Sequence, residues 1–318
     1  MIADERVADE HRPTPDIVAA VLGGVERPTV MLSQLVEMVE NLSETENSYK
    51  NATQMRLWRN PRKRAVANLM KARRERGLDP DKPVLDINHQ DALIHRRYWK
   101  KKIAGKGLDV DTANKDFANM AGMLKRYYES LEDRDEDPNA EPPPRPYAGI
   151  SLTDRHKEVK RKPEFSTKWI EEKILAPGAL DDLNDEAADI TIIEAETGCR
   201  QSEIYNLPPG DIHLDHPIPH FLVRNVEPDD DGGTEGREIK NKHSKRPVPL
   251  GGISLAAMRR HPVGFPRYRG TVGPSALVND YFRKHGLFPS PEHTIGGLRH
   301  SPGVSNEGSD CTLMIGAR

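Results

Sequence analysis

Residues 132–147 read EDRDEDPNAEPPPRPY and divide the chain. Proline carries no backbone N–H and clashes with the preceding helical turn, so this run can be neither a packed helix nor a central strand. Its acidic residues add mutual repulsion. The chain of 318 residues therefore reads as two folding units about an interdomain joint, each long enough to bury its own core. The boundaries follow from the flanking patterns. They are a flexible leader over 1–28, a first unit over 29–131, a joint over 132–165, a second unit over 166–301 and an aberrant tail over 302–318.

The first unit is periodic at helical spacing throughout. LSQLVEMVENL (32–42) predicts a helix capped by Thr29 or Ser33, and a second helix over about 53–76 ends at Gly77 and Pro80. HQDALIHRRYWKKKIAG is a third, capped by Asp86 or Asn88, with Ala92, Leu93, Tyr98, Trp99 and Ile103 on its apolar side. The fourth is DVDTANKDFANMAGMLKRYYESL (109–131), with Ala113, Phe117, Met120, Met123, Leu124 and Tyr127 at a 3.6-residue period. Together they predict a four-helix unit.

Its charge is segregated. The chain as a whole carries −3, which by itself argues against an anionic partner. Yet MRLWRNPRKRAVANLMKARRERG (55–77) sets nine cations against Glu75 alone, and HRRYWKKKIAGK (95–106) holds no acid. The compensating acids lie in LEDRDED, DDLNDE and DDD. Cations gathered on two helices are the footprint of a surface for phosphates. The candidate contacts are Arg62, Lys63, Arg64, Arg73, Arg74, Arg96, Arg97, Lys100 and Lys101. Two cysteines, Cys199 and Cys311, make no disulfide framework, and Cys199 reads as a small buried residue. No apolar run of membrane-spanning length and no secretory leader is visible, so the expected location is cytoplasmic. The histidines of HLDHPIPH (213–220) are constrained by two prolines and lack a ligand spacing, so no metal is expected there. DDDGG does not match a calcium loop and reads as a turn.

The second unit predicts helices over 166–175, 184–198 and 275–287, the last closed by Gly286. HFLVRNV (220–226) and RPVPL (246–250) predict two strands of a hairpin joined through DDDGGTEG. The fold class is therefore mainly α with a small antiparallel β-hairpin or sheet. Three pieces of this unit carry chemistry. TGCRQSEI (197–204) places Arg200 after a glycine turn, at the start of a helix, with Glu203 following. REIKNKHSKRPVPL (237–250) is a basic turn leading into a strand. GLRHS (297–301) brings Arg299 and His300.

In this order and at these distances the three pieces resemble the catalytic domain of a tyrosine recombinase, the phage-integrase family. The basic four-helix unit resembles that family's core-binding domain. The resemblance spans roughly residues 29–301 and implies a two-domain DNA-clamp architecture, with a four-helix core-binding domain before a mixed α+β catalytic domain. It implies site-specific recombination or integration of double-stranded DNA, by chains acting as a multimer on DNA, of bacterial or phage origin. A tyrosine would attack a phosphodiester and form a 3′-phosphotyrosyl link, with no cofactor and no metal. Protein cations must then neutralise the pentavalent phosphate, and guanidinium groups suit this because each grips two non-bridging oxygens. The resemblance assigns that role to Arg200 and Arg299. It gives general-acid protonation of the departing 5′-oxygen to Lys240, with Lys242 as the alternative. His300 would position the phosphate, and Glu203 would support the first arginine.

The chain departs from the family pattern twice. Gly296 stands three residues before Arg299, where the family usually has histidine, and it offers no side-chain donor. From Ser301 the sequence runs SPGVSNEGSDCTLMIGAR, with no helical period and no tyrosine. Tyr268 and Tyr281 both precede Arg299, so no nucleophile is assigned. A catalytically impaired recombinase is expected, the alternative being a DNA-binding remnant or regulator without catalysis.

Overall fold

The structure, a computed structural model, describes residues 29–132, 143–154, 163–226, 236–238 and 245–301. Its helices in chain order are α1 (Leu35–Leu42), α2 (Glu44–Asn47), α3 (Ala52–Arg74), α4 (His89–Lys106), α5 (Val110–Glu132), α6 (Thr167–Trp169), α7 (Asp185–Thr197), α8 (Gln201–Tyr205), α9 (Gly252–Arg260) and α10 (Ser275–Lys284). Three short strands, β1 (Ile212–His213), β2 (His220–Val223) and β3 (Arg246–Pro249), complete it. The described residues fall into two compact units, one within Met1–Leu42 and Pro61–Thr153, the other within Ser43–Asn60 and Asp154–Arg318.

In the first unit the periodic residues of 109–131 face inward as their spacing predicts. Ala113, Phe117, Met120, Met123, Leu124 and Tyr127 are all buried, as are Leu35, Val36 and Val39 of α1, which packs on α5. The start of α4 is capped by Asn88, whose side chain accepts from the backbone N–H of Gln90 and Asp91, and not by Asp86. Gly107 closes α4 in the left-handed conformation that only glycine adopts cheaply. Neither Thr29 nor Ser33 caps the first helical segment. Ser33 donates from both its backbone N–H and its hydroxyl to Asp81, at 2.9 and 2.7 Å.

The buried side of α4 is more polar than its sequence pattern. Ala92 and Trp99 are inside, but so are Asp91 and His95, while Leu93, Tyr98 and Ile103 are half-buried. Each buried polar group has a partner that no periodicity reveals. His95 Nδ1 pairs with the Tyr147 hydroxyl at 3.0 Å. Burial, aided by the charge of Lys102, pushes the His95 imidazole down to about 3, so the ring is neutral. Asp116 is fully buried and accepts from Asn68 Nδ2 at 2.5 Å, Arg64 Nε at 3.1 Å and Trp99 Nε1 at 3.2 Å.

The joint is shorter than its composition implies. Residues 143–153 belong to the first unit: Tyr147 and Leu152 are buried, and Asn114 exchanges two hydrogen bonds with the backbone of Leu152. Prolines forbid a ladder, but they do not prevent an extended segment from lying against a helix. Residues 43–60, which the periodicity groups with the first unit, cluster with the second. There Lys50 pairs with Glu238 at 2.7 Å, and Gln54 Nε2 donates to the Glu238 carbonyl at 3.0 Å.

The second unit is built around α7, which packs against α8, α9 and a 3-10 turn at Ile295–His300. The strands form an antiparallel sheet in the order β1-β2-β3, with Phe221 opposite both Ile212 and Val248. The hairpin partners 220–226 and 246–250 thus pair as their alternation predicts, and Phe221, Val223 and Val248 enter the core. Pro247 and Pro249 sit on β3, an edge strand, where a missing N–H is tolerated. The short strand β1 and the helix α9 have too little pattern of their own to be seen in the sequence.

Candidate functional site

Arg200 is delivered by the turn that ends α7. Gly198 closes that helix at φ +64°, a left-handed conformation that glycine allows. The chain then leaves in extended geometry, and Arg200 becomes the residue that starts α8. Within that first turn the Glu203 carboxylate accepts from the Arg200 backbone N–H at 3.1 Å and from its guanidinium at 2.6 Å. The same turn lies beside the second motif: a side chain added at Gly198 would touch the Arg299 carbonyl. In this way two segments almost a hundred residues apart are joined.

Arg200, Arg299 and His300 line one cavity of about 310 Å³, together with Glu194, Gln201 and Tyr205. Arg200 and Arg299 are half-buried, and His300 is exposed. Gly296 also borders the cavity and brings no side-chain donor. Arg200, Arg299 and His300 therefore stand together, with Glu203 bonded to Arg200. Lys240 and Lys242 lie outside the described residues.

Glu203 is the hub of a larger arrangement. Arg246 Nη2 donates to its Oε2 at 3.0 Å, and Arg237 Nη2 donates to its backbone carbonyl at 3.0 Å. Burial pushes the Glu203 carboxyl up, but the hydrogen bonds from Arg200 and Arg246 outweigh it and hold the group below its ordinary value. Glu203 thus stays charged and fixes Arg200 in direction. Arg246 and Arg237 were not singled out in the sequence; a single arginine at a strand start carries no signal until its carboxylate is known. Cys199 is buried, and burial pushes its thiol up despite the neighbouring Arg246. It packs and does not react.

Three tyrosines of this unit are packed or hydrogen-bonded. Tyr281 is buried and donates to the Ala179 carbonyl at 2.9 Å, and Tyr268 accepts from Asn184 Nδ2 at 2.8 Å. Tyr205 is buried in the cavity wall, and burial pushes its phenol up. Its ring lies against Gly273, which has φ +75°, and a β-carbon there would collide with Tyr205 Cε1. Gly273→Ala therefore combines backbone strain with overpacking, a cost of about 3 kcal/mol. A thermal melt of the variant should show a matching drop in midpoint, and an unchanged midpoint would mean that this wall yields freely.

The basic helices of the first unit sort into two kinds. Lys63, Arg64, Arg74, Arg97, Lys100 and Lys101 are exposed. Arg64 keeps nearly half its surface open while pairing with buried Asp116. Arg96 is half-buried and donates to the Ser151 carbonyl at 2.8 Å, and Arg62 is half-buried with its guanidinium pushed down by burial. Arg73 does not belong to the surface. It is 7% exposed, paired with Asp91, and its Nε donates to the Asp79 carbonyl at 2.8 Å. Its place on the inner side of α3, three residues from Met70 and four from Leu69, sends it inward among the helices.

The fold is similar to that of solved integrase structures. The Tn1549 transposon integrase (residues 82–397) in complex with circular intermediate DNA superposes with a TM-score of 0.51 at 18% identity, over 85% of this chain and 84% of that one. The lambda integrase tetramer bound to a Holliday junction matches with a TM-score of 0.48 at 14% identity, over 92% of this chain and 76% of that one. No family model matches the chain, and neither does any curated protein. Among the described residues no helix is long and apolar enough to cross a membrane.

Proposed function

We propose that this chain is a site-specific recombinase of the integrase type that acts on double-stranded DNA as a multimer in the cytoplasm. The observation that carries the reading is the pairing of Arg200 and Arg299 on one cavity, with Arg200 locked by a charged Glu203. Two arginines on one cavity, one of them held by a carboxylate, suit a phosphodiester, whose charge spreads over two non-bridging oxygens and grows in the transition state. Arg200 and Arg299 hold the phosphate, and His300 at the rim helps to position it. Lys240, or else Lys242, protonates the leaving 5′-oxygen. Arg64, Arg74, Arg97, Lys100 and Lys101, with Arg62, Lys63 and Arg96, grip the flanking backbone. The structural neighbours bound to DNA, one of them as a tetramer on a Holliday junction, support this reading.

A second reading is favoured by the state of the tyrosines. Among the described residues of the second unit, Tyr205, Tyr268 and Tyr281 are packed or hydrogen-bonded. Without a tyrosine supplied from elsewhere, the chain binds DNA and does not cut it. A nicked suicide duplex separates the two readings, because cleavage traps a covalent protein–DNA complex visible on a denaturing gel. In the recombinase reading Arg200→Ala lowers the trapped fraction by about a hundredfold or more, while duplex affinity changes by less than about threefold. Failure of the wild-type chain to form any adduct on its attachment site would establish the non-cutting reading.

A further inference from the structure

The wall of the arginine cavity contains two buried polar groups that the reaction as described leaves unused. Glu194 is 2% exposed and Gln201 is 7% exposed, and both border the cavity. Glu194 Oε2 and Gln201 Nε2 make no hydrogen bond among the described residues. An orphaned buried polar atom is costly, so two of them on one cavity wall indicate a missing partner. Their chemistry says which partner. Gln201 Nε2 can only donate. Its Oε1 is already taken by the Ser275 hydroxyl, which fixes the amide with its N–H groups beside the Glu194 carboxyl.

The carboxyl of Glu194 must be neutral for the arrangement to hold. Its own helix offers no cation, since Asp189 is engaged by Arg260 and His261 and Glu196 accepts from the Ser254 N–H. From α8 it faces Arg200 and, behind that, Glu203. Arg299 and His300 of the Ile295–His300 turn line the same cavity, and α9 carries Arg259 and the engaged Arg260. Burial pushes the Glu194 carboxyl up to about 8, against the pull of Gln201 and Arg299. At neutral pH it therefore carries a proton and can donate, without cancelling the charge of either arginine.

We propose that Glu194 is a further phosphate-binding group of this site, its protonated carboxyl donating, beside Gln201 Nε2, to a non-bridging oxygen of the phosphodiester held by Arg200 and Arg299. The inference rests on the phosphate reading of the cavity given above. It also accounts for the chemistry at Gly296. That position supplies no side-chain donor, and a carboxylic acid elsewhere on the same cavity supplies one. Loss of the proton converts a donor into an anion that faces another anion, so binding weakens as pH rises through the Glu194 value.

The test uses the full chain and the dinucleotide deoxyadenylyl-deoxyadenosine, titrated by phosphorus NMR. Neither its phosphodiester nor its bases change charge between about pH 7.5 and about pH 9.5. The wild-type chain should bind about tenfold more weakly at the higher pH, the effect of one hydrogen bond to a charged group. Glu194→Gln keeps a donor at every pH, so it should bind equally at both and within about twofold of the wild type at the lower one. Glu194→Leu fills the space with no donor and should bind about tenfold more weakly at both; Glu194→Met replaces it if the leucine variant does not fold. Arg200→Ala should abolish binding. Wild-type affinity and pH profile in the apolar variant, with binding still lost in Arg200→Ala, overturn the role of Glu194 alone. Dinucleotide binding that survives Arg200→Ala overturns the phosphate reading and the inference with it.

Discussion

Replacing Arg97, Lys100 and Lys101 together by alanine lowers affinity for any DNA duplex by about 500-fold at roughly 0.1 M salt. The size follows from counterion release. Each neutralised phosphate contributes about −0.9 to the slope of log affinity against log salt, so three lost contacts remove about 2.7 from the slope and as many decades at that salt. These three cations are exposed on α4, and no acidic residue lies within 95–106 to neutralise them. Because phosphate contacts carry no sequence information, the loss should be the same for cognate and random duplexes. Fluorescence anisotropy across a salt series measures both quantities. A variant whose slope equals that of the wild type would remove α4 from the DNA-facing surface. Neighbouring Lys102 is a poor choice for the same experiment, since its ammonium lies 4.4 Å from the Trp99 ring centre and has a packing role.

What the sequence made legible depends on how local each cause is. The helix α5 was visible in full because its six inward residues repeat at the period of the element itself. Arg200, Glu203 and Arg299 were visible because they lie in short motifs whose order survives without knowledge of the fold. Glu194 was not, since a glutamate within TIIEAETG looks like an ordinary solvated residue. Only the packing of α7 against α8 and the Ile295–His300 turn buries it. Arg237 and Arg246 were hidden for the same reason: each is defined by Glu203, more than thirty residues away. Charge density along a helix was a fair guide to the basic surface, but it cannot separate the two faces of a helix when one of them hides an acid. The joint was overextended because proline content reports the absence of a ladder and says nothing of packing, so the burial of Tyr147 and Leu152 went unseen.

Arg73 and Arg74 show how far neighbouring residues of one type can diverge, and Asp91 decides the matter. Asp91 is 3% exposed, pairs with Arg73 and with Lys82 at 3.1 Å, and accepts from the Asn88 N–H at 3.1 Å in the capping box of α4. Asp91→Ala leaves the Arg73 guanidinium buried with no carboxylate and also strips the helix start. Breaking such a pair from one side costs about 4 kcal/mol, which for a unit of this size lowers the melting midpoint by roughly 15 °C. Arg73→Met should cost less, because Asp91 keeps Lys82 and its backbone donor while the methionine fills the space of the lost stem. For DNA the order reverses. Arg74 is exposed, so Arg74→Ala should weaken duplex binding about eightfold at roughly 0.1 M salt, the contribution of one phosphate. Arg73→Met should leave that affinity unchanged, since a side chain engaged with Asp91 and the Asp79 carbonyl cannot also reach a phosphate. The pair of measurements is a melt and a binding isotherm on the same preparations. An Arg73→Met chain that melts like the wild type and binds DNA as poorly as Arg74→Ala would place Arg73 on the DNA surface after all.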